Sequence, residues 1–83
     1  MYTVDVRPAA LRALKRIPRN DLERIRGAIA LLAREPRPPG ARKLRDRDAY
    51  RVRVGDYRVI YTVDDGRLVV TVIRLGHRKH VYR

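Results

Sequence analysis

Two stretches of the chain bring together side chains suited to phosphate chemistry. The first is Tyr50-Arg51-Val52-Arg53-Val54-Gly55-Asp56-Tyr57-Arg58, and the second is the ending Gly76-His77-Arg78-Lys79-His80-Val81-Tyr82-Arg83. If Gly55-Asp56 is a two-residue hairpin turn, Val54 faces Tyr57, Arg53 faces Arg58, Val52 faces Val59 and Arg51 faces Ile60. Side-chain alternation then sets Arg51, Arg53 and Arg58 on one face, with Val52, Val54, Tyr57, Val59 and Tyr61 on the other. Like charges directly opposite one another destabilise a sheet, so Arg53 against Arg58 invites an anion between them. The row reads as a phosphate site or, alternatively, as a solvated, splayed pair on an open sheet face.

A third strand returning toward the turn would start the tail beside Arg58. His77, Arg78, Lys79, His80 and Tyr82 then arrive next to the arginine row, although alone such a tail reads as solvated basic surface. Metal-free RNA cleavage needs a base near the 2′-hydroxyl, an acid near the leaving 5′-oxygen and cations around the phosphorane. Arg51, Arg53, Arg58 and Arg78 supply charge, and an imidazole or the Tyr82 phenol is available for proton transfer or base stacking. Arginine does not serve readily as a base, because its pKa stays above about 12. No metal is expected: His77 and His80 lack a neighbouring carboxylate, and the local charge repels cations. No cofactor is implied either.

Charge points to the same class of partner. The chain carries 21 Lys plus Arg against 9 Asp plus Glu, a formal net charge of +12, which calls for a polyanion. All cations but Lys15, Lys43 and Lys79 are Arg, whose planar fork grips phosphate in two places. A GC-rich codon habit would account for the choice of Arg over Lys, but not for the net charge.

With 83 residues there is room for a single domain, 1–83, with an aliphatic and tyrosine core, since the chain has neither Phe nor Trp. The absence of Cys excludes disulfides and thiolate metal sites and fits a reducing cytoplasm. The N-terminal residues do not read as a signal peptide, and no apolar run reaches the roughly 20 residues of a membrane span. A soluble, cytoplasmic protein with no membrane partner is expected.

The elements that must hold these residues can be read from periodicity. Tyr2 to Val6 alternates as a strand. Pro8 opens a helix with Leu11, Leu14 and Ile17 on its apolar stripe, and Pro18 stops it. Asn20 with Glu23 resembles a capping box, followed by Leu22, Ile25, Ile29 and Leu32 at helical spacing. The two helices are expected to form an antiparallel hairpin. Glu35-Pro36-Arg37-Pro38-Pro39-Gly40 reads as a connector. From Tyr50 the period becomes two, with turns at Gly55-Asp56 and Asp64-Asp65-Gly66, which predicts a three-stranded antiparallel meander. The fold class is α+β: an N-terminal strand, a helical hairpin, then the meander.

Over essentially its whole length the sequence resembles the RelE branch of the RelE/ParE toxin superfamily. The likeness rests on Lys43-Leu44-Arg45, on Tyr50 to Tyr61, and on Val72-Ile73-Arg74-Leu75-Gly76-His77-Arg78-Lys79-His80-Val81-Tyr82. The resemblance implies a RelE-like fold whose concave sheet face binds messenger RNA in the ribosomal A site. It also implies a metal-independent endoribonuclease that inhibits translation. By the same resemblance Arg58 binds phosphate, Arg78 stabilises charge and protonates the leaving group, and Tyr82 stacks on or orients the substrate. Arg51 and Arg53 stand where the best-known RelE toxin has lysines, so a base assigned to either lysine does not transfer; His77 or His80 is available for that role, or positioning and electrostatics suffice. Lys43, Arg45, Lys79 and His80 join Arg51 and Arg53 as expected substrate contacts.

The implied partners are an acidic cognate antitoxin, the ribosome and its messenger RNA, with the toxin–antitoxin complex binding operator DNA. Two other functions compete. A ParE-like gyrase inhibitor would share the fold without the nuclease residues, and a nonenzymatic nucleic-acid-binding module would need only the charge.

Overall fold

The computed structural model describes residues 1–77. In chain order the elements are β1 (Thr3–Val6), α1 (Pro8–Leu14), α2 (Arg19–Leu32), β2 (Arg42–Lys43), β3 (Tyr50–Val54), β4 (Tyr57–Asp64) and β5 (Val69–His77). The strands make one mixed sheet in the order β1-β5-β4-β3-β2. β1 runs parallel to β5 and the other pairings are antiparallel. The meander expected from period-two patterning is thus the centre of a larger sheet. β1 closes one edge, and the two-residue strand β2, too short to register as a period, closes the other.

Both helices pack on one face of the sheet. Arg7 is extended and Pro8 occupies the first helical turn of α1, where its missing N–H costs nothing. α1 buries Ala10 and half-buries Ala13 and Leu14, whereas Leu11 is 47% exposed; the helix ends at Leu14, short of Pro18, and Ile17 packs on the core from the turn that follows. The apolar stripe is therefore rotated from the one expected, because the small Ala10 allows α1 to sit close against β5. α2 begins at Arg19 with extended Pro18 before it and no side-chain cap, so Asn20 lies inside the first turn and is not the cap that the Asn20/Glu23 spacing suggested. The fixed φ of Pro18 sets the helix entry in its place.

α2 runs diagonally over the sheet. Near its start the Arg24 guanidinium lies against Gly55, within 3.2 Å of where a Cβ would stand, and at its end the Ala33 carbonyl accepts the Tyr2 N–H at 2.7 Å. Ile25, Ile29 and Leu32 interlock with Val59, Tyr61, Val70, Val72 and Leu75. Each such aliphatic side chain, when fully buried, contributes about 1.5–3 kcal/mol.

The β3–β4 turn has φ +60° at Gly55 and no positive φ at Asp56. That is the type II′ pattern, which matches the twist of the flanking strands and locks their register.

At the opposite end of the sheet, side chains brace the proline-rich connector. Arg37 donates to both Asp65 oxygens, at 3.1 and 2.8 Å, and from Nε to the Tyr50 hydroxyl at 2.9 Å. The Tyr2 hydroxyl donates to the same carboxylate at 2.6 Å. Tyr50 stacks on Tyr61, and the buried Tyr61 hydroxyl donates to the Pro36 carbonyl at 2.7 Å. Arg37, with help from Tyr2, holds the Asp65 carboxyl down at about 2. Burial, reinforced by Tyr50, pushes the Tyr61 phenol up to about 12.

Candidate anion-binding face

The face of the sheet away from the helices carries the arginines. Pairing across β3 and β4 sets Arg53 opposite Arg58, Val52 opposite Val59 and Arg51 opposite Ile60, as the two-residue turn requires. Val52, Val54, Tyr57, Val59 and Tyr61 all pack in the helix-side core. Arg51, Arg53 and Arg58, out of phase with that set, occupy the outer face. Ile60 is fully buried there with Ala49, under Leu44 and Ile73, so a small apolar floor lies among the cations. Arg53 is exposed, Arg51 and Arg58 are half-buried, and the Arg58 Nε is itself buried. Among the described residues no carboxylate forms an ion pair with Arg51 or Arg53.

Two further arginines share this face, and periodicity alone did not find them. Arg42 of β2 lies directly opposite Arg51. Arg74 of β5 lies opposite Ile60 because the β4–β5 register shifts by one residue between Ile60 and Tyr61. Val72 pairs with Tyr61 and Arg74 with Ile60, which leaves Ile73 as the extra residue of a bulge. Strict alternation from the buried Val70 and Val72 would have turned Arg74 into the core and Leu75 out of it. The bulge keeps Leu75 inside, where it is 6% exposed, and sets Arg74 in solvent. The signal in the sequence was the break in alternation at Ile73-Arg74-Leu75.

Other expected site residues fall elsewhere. Gly76 is the partner of Arg58, and His77 is the partner of Tyr57, with ring centroids 5.9 Å apart and edge-to-face at 78°. His77 therefore takes the helix-side phase, not a place in the arginine row, because it stands one residue beyond the position opposite Arg58. Lys43 pairs with Tyr50, again in the helix-side phase, and lies 3.6 Å from Asp48. Arg45 is exposed on the Leu44–Ala49 loop at the rim of the face. Arg78, Lys79, His80 and Tyr82 lie outside the described residues. Among the described residues there is no metal-binding cluster of His, Cys, Asp and Glu, and no helix long and apolar enough to cross a membrane.

A five-stranded mixed sheet, two helices on one face and a cationic opposite face define a small basic α+β domain. Residues 4–82 match the family model described as the ParE toxin of type II toxin–antitoxin systems. The chain is 33% identical over 84 residues to Toxin RelG of Mycobacterium tuberculosis, covering 99% of this chain and 97% of that protein. Among solved structures, it is similar to a chain of the RelBE2 toxin–antitoxin complex from Mycobacterium tuberculosis, with a TM-score of 0.82, 31% identity, and 93% and 98% of the two chains covered. A chain of the intact E. coli RelBE complex gives a TM-score of 0.81 at 28% identity, with 93% and 96% covered. The chain belongs to the RelE/ParE superfamily of toxins of type II toxin–antitoxin systems.

Proposed function

We propose that this toxin is a metal-independent endoribonuclease of the RelE branch, cutting messenger RNA in the ribosomal A site. The observation that carries the proposal is the direct opposition of Arg53 and Arg58 on the helix-free sheet face. A phosphate held between two opposed guanidinium groups receives hydrogen bonds from both, which makes the pair a charge-assisted clamp. Arg58 binds the phosphate in this reading, with Arg53 opposite it and Arg51 one row away on the same face. β5 runs past the partner of Arg58 to His77. Beyond it in sequence, the family resemblance assigns charge stabilisation and leaving-group protonation to Arg78 and stacking or orientation of the substrate to Tyr82, while His80 is available as a base. Lys43, Arg45 and Lys79 add charge at the periphery.

Attack by the 2′-hydroxyl, whose proton passes to a base, forms a 2′,3′-cyclic phosphate and expels the 5′-oxygen, which takes up a proton, so the protein must orient the sugar, neutralise the phosphorane and provide for both proton transfers. Arginines perform the second task well and the first only with help. The ribosome supplies that help by bending the message into line, a contribution on the order of 7–11 kcal/mol when orientation is complete. Purified toxin is therefore expected to cut messenger RNA on stalled ribosomes and to leave naked RNA nearly intact. Equal rates on the two substrates would overturn the ribosome dependence.

The similar structures of RelB–RelE complexes support a cognate acidic antitoxin as the neutralising partner. A disordered acidic segment meets a net charge of +12 quickly and wraps a large area as it folds. In this scheme the neutralised pair also binds operator DNA. The match to the ParE family model favours one second reading, inhibition of DNA gyrase through a protein contact. Replication arrest with intact messages would select it.

A further inference from the structure

We infer that Arg74 and Arg51 form a second phosphate subsite, one nucleotide away from the Arg53–Arg58 clamp, and that the β5 bulge exists to present Arg74 to it. The inference deepens the proposed function and rests on the outer sheet face being the RNA face.

The outer face forms a grid. One row, read across β3, β4 and β5, is Arg53, Arg58 and Gly76; the next is Arg51, Ile60 and Arg74. Neighbouring strands lie about 4.8 Å apart, so the Cα atoms of Arg51 and Arg74 stand about 10 Å apart with Ile60 between them. Two arginine side chains reaching inward from that separation converge on an anion above the centre strand. Ile60 is buried, and the partly exposed Leu44 and Ile73 packed against it give the subsite an apolar floor. The two rows are two residues apart along β3, or about 6.7 Å, which matches the separation of successive phosphates in an extended strand.

The bulge gives the argument its second support. A regular β5 would put one residue fewer between Val72 and Leu75, both of which the core requires. Adding Ile73 to the strand brings two consecutive side chains, Ile73 and Arg74, to the outer face: one joins the apolar floor and the other stands in solvent beside it. A bulge interrupts the hydrogen-bond ladder, and such irregularities concentrate where a side chain must be re-aimed. The re-aimed side chain here is a cation in line with Arg51.

The test is RNA affinity as a function of salt, measured by fluorescence anisotropy with a short 2′-O-methyl oligonucleotide that the toxin cannot cut. Removing one phosphate contact to a single strand lowers the slope of log affinity against log salt by about 0.7. Arg74→Gln is expected to show that loss, with affinity reduced about tenfold at low salt. Arg74→Lys should regain most of the slope. Arg16→Gln, which removes an equal charge from the helix side, should leave the slope unchanged. An Arg74→Gln slope equal to the wild type, an equal loss in Arg16→Gln, or a wild type that does not bind the probe would overturn the subsite. Ribosome-programmed cleavage by the wild type is scored separately. Slope loss in Arg74→Gln without wild-type cleavage removes the nuclease reading and keeps the subsite, whereas cleavage with an unchanged slope does the reverse.

Discussion

At the scale of single residues the proposed chemistry depends on guanidinium groups whose protonation does not change near neutral pH. Arg58→Ala removes one arm of the proposed clamp from a position outside both apolar clusters. It is expected to abolish growth inhibition while the far-ultraviolet circular dichroism and melting temperature stay close to wild type. Losing one charge donor aimed at a transition state costs on the order of a hundredfold or more in rate. A fully toxic Arg58→Ala would remove that residue from the site.

Tyr61 makes a different kind of prediction, about stability. Its phenol is raised to about 12 by burial, so the folded state favours the neutral form over the range in which an unfolded tyrosine ionises. That contribution is fully present below pH 10 and is lost as pH climbs through about 12. Tyr61→Phe should lose about 1 kcal/mol near neutrality with the Pro36 hydrogen bond, yet fall less steeply than wild type between pH 10 and 12. Urea midpoints across that range measure both effects, and parallel declines would contradict the assignment.

At the scale of elements, two connections hold the arginine face in place. The turn before β5 contains Leu68 at φ 56°, a left-handed conformation that costs a leucine about 1–2 kcal/mol, and its carbonyl accepts the Thr3 N–H that starts the β1–β5 pairing. Leu68→Asn should retain the turn and raise stability by about 1 kcal/mol, or roughly 4–8 °C in melting temperature. A lower melting temperature would mean that the 45% exposed leucine packs more than its surface suggests.

The Arg37–Asp65–Tyr2 brace is the second connection. Because the Asp65 carboxyl is held below its ordinary 3.8, its stabilising effect is present above that value and is lost as pH falls through about 2. Asp65→Asn should lack this acid-dependent component, so its unfolding midpoint should change less than that of wild type between pH 4 and 2.

These elements also mark what the sequence could say. The hairpin register followed from one glycine, because only a two-residue turn satisfies both Gly55-Asp56 and the flanking alternation, and with it Arg51, Arg53 and Arg58 were placed on one face. Arg74 was only half legible: the break in alternation at Ile73-Arg74-Leu75 signals a bulge, but which residue is extra is decided by the pairing with β4, where Val72 and Leu75 must both face the helices. Arg42 sits on a strand of two residues, too short to carry a period. His77 was misplaced by one position of parity, since proximity to Arg58 along the chain does not mean a shared face. The helix cap was lost to Pro18, whose ring fixes the helix entry before Asn20 is reached.

At the scale of the whole molecule, the two faces of the sheet divide the work. One face carries the helices and nearly all of the core; the other carries Arg42, Arg51, Arg53, Arg58 and Arg74 around a small apolar floor. This separation lets the domain hold a formal net charge of +12 in 83 residues, because its cations repel one another across solvent and not through the core. Association of such a face with a polyanion is expected to be strongly salt-dependent. The measurement that tests the central claim most directly is primer-extension mapping of transcripts after brief induction of the toxin without an antitoxin. Cuts confined to translated codons, absent in Arg58→Ala, are the predicted result; intact transcripts together with arrested replication would contradict it.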